Sequence, residues 1–157
     1  MYVGSATGEN KMIIGIDVGY RTGGVGLVEG SWAEVHDLPI ITDNGVDANA
    51  LLDLIGGEPV DHIYIEAQQS MPKQGVVSVF KLAMAYGQIR ATVALSGTPY
   101  TLVRPVVWKR AMELTRDKGA CLERARQLFP KLNDQLKLKK HEHRAESLLI
   151  AYYGENK

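Results

Sequence analysis

The sequence predicts an α/β domain on a five-stranded mixed sheet with helices on both faces. Three observations carry this. The chain opens with three short strand-like runs close enough to form a meander. Two more such runs follow, separated by a long stretch in which apolar residues recur at helical spacing. Helical patterns fill the remainder. A meander followed by strand–helix alternation packs as a mixed sheet covered on both sides.

The elements follow in order. "MIIGIDV", from Met12, is β-branched, short and glycine-bounded, so it reads as a buried strand. "GVGLVE" and "SWAEVHDL" are the next two, joined at Gly30–Ser31 as a hairpin. "DANALLDLIGG" is a short helix capped by Asp47 and stopped by glycine. "VDHIYIEA" is the fourth strand and ends at Glu66. From Gln74 to Ser96, Val76, Val79, Phe80, Ala83, Ala85, Ile89 and Val93 mark a long helix that Gly97 stops. "PYTLVR" is the fifth strand. Thr115 or Asp117 caps a helix containing "CLERARQLF", which Pro130 ends. A last helix runs from about His141 to Tyr153, with Ala145, Leu148, Leu149 and Tyr152 on one stripe.

Composition narrows the class. At 157 residues, 45% hydrophobic and 23% charged, the chain suits one domain with its own core. With one cysteine, Cys121, no internal disulfide forms, and no Cys/His spacing suggests zinc. No apolar run approaches the roughly 18 residues that span a membrane. Residues 1–11, "MYVGSATGENK", lack the apolar core of a secretion signal and the arginines of a transit peptide. They read as a flexible leader before a domain over 12–157, and a cytoplasmic location is expected. The net charge is zero but uneven: residues 1–66 carry 2 basic and 11 acidic side chains, residues 100–140 carry 11 basic and 4 acidic. A basic half of this kind suits nucleic acid or a solvated face.

Two acids sit oddly. Asp17 ends an otherwise apolar strand, and Glu66 ends the fourth. If those strands are neighbours, both acids emerge at one sheet edge, where sites in such sheets are built. The last helix offers "HEHRAE", in which Glu146 shares a face with His143 and Glu142. Clustered carboxylates repel one another and invite a cation, and oxygens with an imidazole suit Mg²⁺ or Mn²⁺. Two such ions about 4 Å apart clamp the attacking water and the leaving oxygen of a phosphodiester. Each acid alone has a simpler reading: an Asx-type turn before Gly19 for Asp17, an exposed strand end for Glu66, a polar helix face for "HEHRAE". Their combination and order favour a site. The five glycines from Gly19 to Gly30 let the hairpin turn tightly and let a DNA backbone come near.

"GIDVGYRTGGVGLVE", "IYIEAQQSMPKQG", the Trp-Lys of "VVWKRAMELT", "ARQLFP" and "KKHEHRAESLLIAYYG" resemble, in this order, the RuvC-like Holliday junction resolvases of the RNase H or retroviral-integrase superfold. The subgroup is that of the chloroplast resolvase and its bacterial and phage relatives, and the resemblance spans about Met12 to Gly154. It implies a metal-dependent, structure-selective DNA endonuclease that cuts four-way junctions symmetrically with two Mg²⁺ or Mn²⁺ ions, leaving 5′-phosphate and 3′-hydroxyl ends. It implies Asp17 bridging both ions, Glu66 on the nucleophile side, and Glu146 with His143 or Glu142 on the other.

Lys109, Arg110 and Lys118 are the expected phosphate contacts, with Lys118 the catalytic cation near the scissile phosphate. Gln69, Met71, Lys73 and Gln74, in the loop after Glu66, are the expected junction-facing residues, since amides pair with base edges. Symmetric cutting implies a two-fold homodimer, with Phe80, Ala83, Ala85, Gly87 and Ile89 as a close-packed interface. No membrane and no nucleotide cofactor are expected. Two other readings stand beside this one: a branched-DNA binder without catalysis, and an actin-like or sugar-kinase-type phosphotransferase, which also begins with a "GID-G" strand but needs two such domains.

Overall fold

The computed structural model describes residues 10–42, 45–117 and 119–157. Most of the expected leader, residues 1–9, lies outside these, and so does Lys118. β1 (Ile13–Asp17) pairs antiparallel with β2 (Gly24–Glu29), and β3 (Trp32–Asp37) returns beside β2. The hairpin between β2 and β3 turns at Gly30, whose φ of +58° is ordinary only for glycine. β4 (Ile40–Ile41) and β5 (Gly45–Val46) form a separate two-stranded ribbon that the sequence pattern does not foretell. Next comes α1 (Ala48–Gly56), where Asp47 Oδ1 accepts from the Ala50 N–H at 3.0 Å as the expected N-cap. β6 (His62–Glu66) runs parallel to β1, and after α2 (Val76–Ser96), β7 (Tyr100–Val103) runs parallel to β6. The five-strand order is β3-β2-β1-β6-β7, a mixed sheet flanked by helices as expected.

α3 (Pro105–Ala111), α4 (Ala120–Leu128), two 3₁₀ turns (Pro130–Gln135 and Lys139–His141) and α5 (Glu142–Glu155) complete the chain. Alternation along the strands sends their side chains to two cores. On one face Ile14, Ile16, Val25, Leu27, Ile63 and Ile65 meet α1 and the Ala85, Ile89 and Val93 side of α2. On the other, Ile13, Val28, Val35 and Val103 meet α3, α4 and α5. Among the described residues, no helix is long and apolar enough to cross a membrane.

Gly24 and Gly26 of β2 have a purpose different from the one the sequence suggested, and Gly15 of β1 shares it. A Cβ on Gly15 would sit 2.2 Å from Ser147 O and 2.4 Å from Ala151 N. One on Gly24 would sit 2.4 Å from His143 O, and one on Gly26 would sit 2.7 Å from Leu148 N. These are backbone atoms of α5. The strands are bare here so that the helix can lie directly on the sheet.

Three local expectations change. Thr115 and Asp117 do not cap α4; they bond each other at 3.2 Å, and Gly119 precedes the helix. α5 is buried nearly all round rather than along one stripe, because the sheet lies under it and α4 over it. The proposed α2 interface stripe divides between two faces: Ala85 and Ile89 are fully buried on the sheet, while Phe80, Ala83 and Gly87 are exposed. The outward face carries Val76, Phe80 and Leu95, exposed to 84%, 69% and 85%.

Candidate active site

β1 and β6 are parallel neighbours in register Ile16↔Ile65, so Asp17 and Glu66 leave the sheet side by side at its C-terminal edge. α5, seated on the glycines of β1 and β2, brings Glu146 to the same edge. Carboxylate oxygens of Asp17, Glu66 and Glu146 all lie within 4.8 Å of one another. Three acids from three elements thus converge, two of them nearly buried.

Their surroundings hold them unusually. Burial first, then the charges of Glu146 and Glu66, push the Asp17 carboxyl well above the ordinary range. Burial also raises Glu66, against the pull of hydrogen bonds from the Trp108 indole and the Gln68 amide. Glu146 is pushed up to about 7 by burial; Lys109 works against this, and Glu66 and Glu142 add to it. The Lys109 ammonium stands 3.7 Å from Glu146 Oε1 and 5.2 Å from the centre of the Trp108 ring. Burial disfavours its charge, but Glu146, Cys121, Glu66 and Asp17 outweigh that and raise its pKa. One ammonium against three carboxylates leaves the cluster short of positive charge, and its hard oxygen donors fit Mg²⁺ or Mn²⁺.

This has a measurable consequence. A carboxyl whose folded pKa is raised stabilises the fold below its ordinary value of 4.5 and loses that contribution as pH climbs through about 7. Without divalent cation, Tm is therefore expected to fall by several degrees from about pH 5 to about pH 8. Mn²⁺ should restore it at the higher pH if the ionised folded cluster holds the ion. Calorimetry at several pH values checks this; a Tm that holds or rises across the window contradicts it.

The other expected site residues are distributed as follows. His143 is not drawn into the carboxylate group; its Nε2 meets Asp37 Oδ1 at 2.8 Å, at the end of β3. Arg144 donates to both oxygens of Asp37 at 2.6 and 2.8 Å, and this guanidinium, with His143, holds the Asp37 carboxyl far below the usual range. Glu142 is exposed and belongs to a second group, with Cys121 and Glu146. Cys121 Sγ lies 3.9 Å from Glu146 Oε1, and burial, then Glu146, push its thiol up to about 12. Of the expected phosphate contacts, Lys109 stands beside the carboxylates and Arg110 is exposed.

The loop after Glu66 folds on itself. The Met71 N–H donates to Gln74 Oε1 at 2.7 Å, the Gln69 amide reaches Met71 Sδ at 3.8 Å, and Lys73 takes a φ of +68°. Gln69, Met71, Lys73 and Gln74 are all exposed.

Sequence reasoning did not place Trp108, Gln68 or Cys121 at the site. A signal for Trp108 was present. Pro105 starts a helix directly after the strand beside Glu66, so its first turns fall at the same sheet edge.

No protein-family model matches the sequence, and no curated protein sequence does either. Solved structures do match. RuvC of T. thermophilus in complex with a Holliday junction substrate superposes with a TM-score of 0.61 at 19% identity, covering 91% of both chains. The Thermus thermophilus RuvC structure gives 0.63 at 21% identity, covering 90% of this chain and 92% of that one. Both are bacterial, so an affinity to the chloroplast subgroup rests on the sequence blocks alone. With its five-stranded mixed sheet and flanking helices, the chain has the fold of the RuvC-like Holliday junction resolvases.

Proposed function

We propose that residues 12–157 act as one nuclease domain: a metal-dependent endonuclease that cuts four-way DNA junctions. The observation that carries this is the convergence of Asp17, Glu66 and Glu146 within 4.8 Å at the C-terminal sheet edge. The fold is shared with a RuvC solved with a Holliday junction substrate, which supports the junction as substrate. Asp17, Glu66 and Glu146 would hold Mg²⁺ or Mn²⁺. When bound, the cation lowers the pKa of a water and draws charge from the phosphate oxygens. A second ion would share Glu146 and take Glu142; the Cys121 thiol in that group is a poor partner for a hard cation. His143 and Arg144, through Asp37, brace the start of α5 and so hold Glu146 in place.

Lys109 faces the carboxylates and is free to donate to a phosphate once a cation satisfies Glu146. Arg104 and Arg110 are exposed on and beside α3, and Lys73 on the loop after Glu66; they would neutralise flanking phosphates. Two symmetric cuts need two sites. The outward apolar face of α2 suits a two-fold partner, its alanines and Gly87 allowing close approach. Such an enzyme would work where chromosomal or phage DNA recombines, in the bacterial cytoplasm.

The test is a synthetic four-way junction beside a linear duplex, each with Mg²⁺, Mn²⁺ or chelator, with nicks mapped on denaturing gels. Paired nicks in the junction alone, dependent on cation, are the expected result. Junction binding without nicking under every cation makes the protein a branched-DNA binder, and ATP hydrolysis returns it to the phosphotransferase reading. Sedimentation at micromolar concentration should give a dimer, and a monomer removes the two-fold arrangement.

A further inference from the structure

We propose that Trp108 is a positioning residue that fixes the Glu66 carboxylate for its cation. The inference rests on the metal reading of the acid cluster. The Trp108 side chain is fully buried, and its Nε1–H donates to Glu66 Oε2 at 2.8 Å. An indole has one donor and no acceptor. Left unpaired at this depth, that donor would cost the fold a hydrogen bond, so it has every reason to stay on Glu66.

Gln68 completes the hold. Its amide reaches Glu66 Oε1 at 3.2 Å and the Glu66 main-chain oxygen at 3.3 Å. A carboxylate offers about four lone-pair sites. With one taken on each oxygen, its plane is set and the remaining lone pairs stay open to a cation. α3 presents both halves of this arrangement from adjacent residues: Trp108 donates to Glu66, and Lys109, over the Trp108 ring, pairs with Glu146. A core position that needed only volume would be served by phenylalanine. What tryptophan adds is the N–H, and it is aimed at a ligand.

The two roles separate in solution. Mn²⁺ is titrated calorimetrically, without DNA, into the wild type, into Trp108→Phe and into protein carrying benzothienylalanine at position 108, which keeps the indole shape without the N–H. Both altered proteins are expected to bind Mn²⁺ roughly 10- to 100-fold more weakly, as usual when a ligand's outer partner is lost. Junction affinity in chelator should not change, and cleavage should recover as Mn²⁺ is raised.

Trp32 is the other tryptophan. In a Trp32→Phe background, Mn²⁺ should quench Trp108 emission with the calorimetric midpoint. If quenching occurs but both altered proteins bind Mn²⁺ as the wild type does, Trp108 is only core and the positioning role is overturned while the metal site stands. If the wild type shows neither quenching nor Mn²⁺ heat, the metal reading fails and this inference with it.

Discussion

If the proposed function holds, Asp17→Asn is expected to lower junction cleavage on the order of a thousandfold or more, because it removes one of the three carboxylates that would hold the cation. The same substitution should leave junction binding in chelator intact and make the metal-free protein more stable. The Asp17 carboxyl is buried beside Glu146 and Glu66, which push its pKa well up, so at alkaline pH its charge is held at a cost. Asparagine keeps the shape and discards the charge. A gain on the order of 1 kcal/mol, or roughly 2–4 °C in Tm near pH 8, is expected without divalent cation. Activity and stability moving in opposite directions is the mark of a strained functional acid. A variant that still cuts at the wild-type rate removes Asp17 from the chemistry. One that loses stability makes Asp17 an ordinary structural residue.

Gly15→Ala should have the largest effect on stability. The new methyl would stand 2.2 Å from Ser147 O and 2.4 Å from Ala151 N, both on the backbone of a helix packed on two sides. Neither partner is the free end of a side chain, so α5 as a whole has to lift. Overpacking of this kind costs about 3 kcal/mol or more, which for a chain of this size lowers Tm by roughly 6–12 °C. Gly56→Ala is the control. Nothing lies within 4 Å of its Cβ position, at the end of α1, and it is expected to be neutral or slightly stabilising. Scanning calorimetry of the two side by side decides this. Equal Tm values would mean that α5 does not press on β1.

These glycines also show where a sequence stops being legible. Asp17 and Glu66 could be read as partners, on the condition that their strands are neighbours, because each ends an apolar strand; the pairing of β1 with β6 meets that condition. Helical spacing grouped Glu146 with His143 and Glu142, and the resemblance to the RuvC-like resolvases implied that it joins Asp17 and Glu66. Gly24 and Gly26 suggested only a tight hairpin and room for a DNA backbone. Their partner is a helix more than a hundred positions away, and no local pattern encodes a helix–sheet distance. The partner of His143 is hidden for the same reason. Helical spacing puts His143 on the face of Glu146, but Asp37, 106 residues distant, takes its ring nitrogen. Trp108 was visible as a residue and not as a contact. The two-stranded ribbon of Ile40–Ile41 and Gly45–Val46 was too short for any periodicity to register.

The seating of α5 on bare strands bears on when the protein acquires its chemistry. Its three acids sit at positions 17, 66 and 146. The sheet can present the first two once β1 and β6 have paired, but the third arrives only when α5 docks. Contacts so far apart in sequence close late, because the intervening loop must be ordered first. A chain still emerging from the ribosome, or one clipped before α5, carries two acids and no third. On the proposed reading the site is complete only once α5 has docked, so DNA would not be cut before Glu146 reaches Asp17 and Glu66.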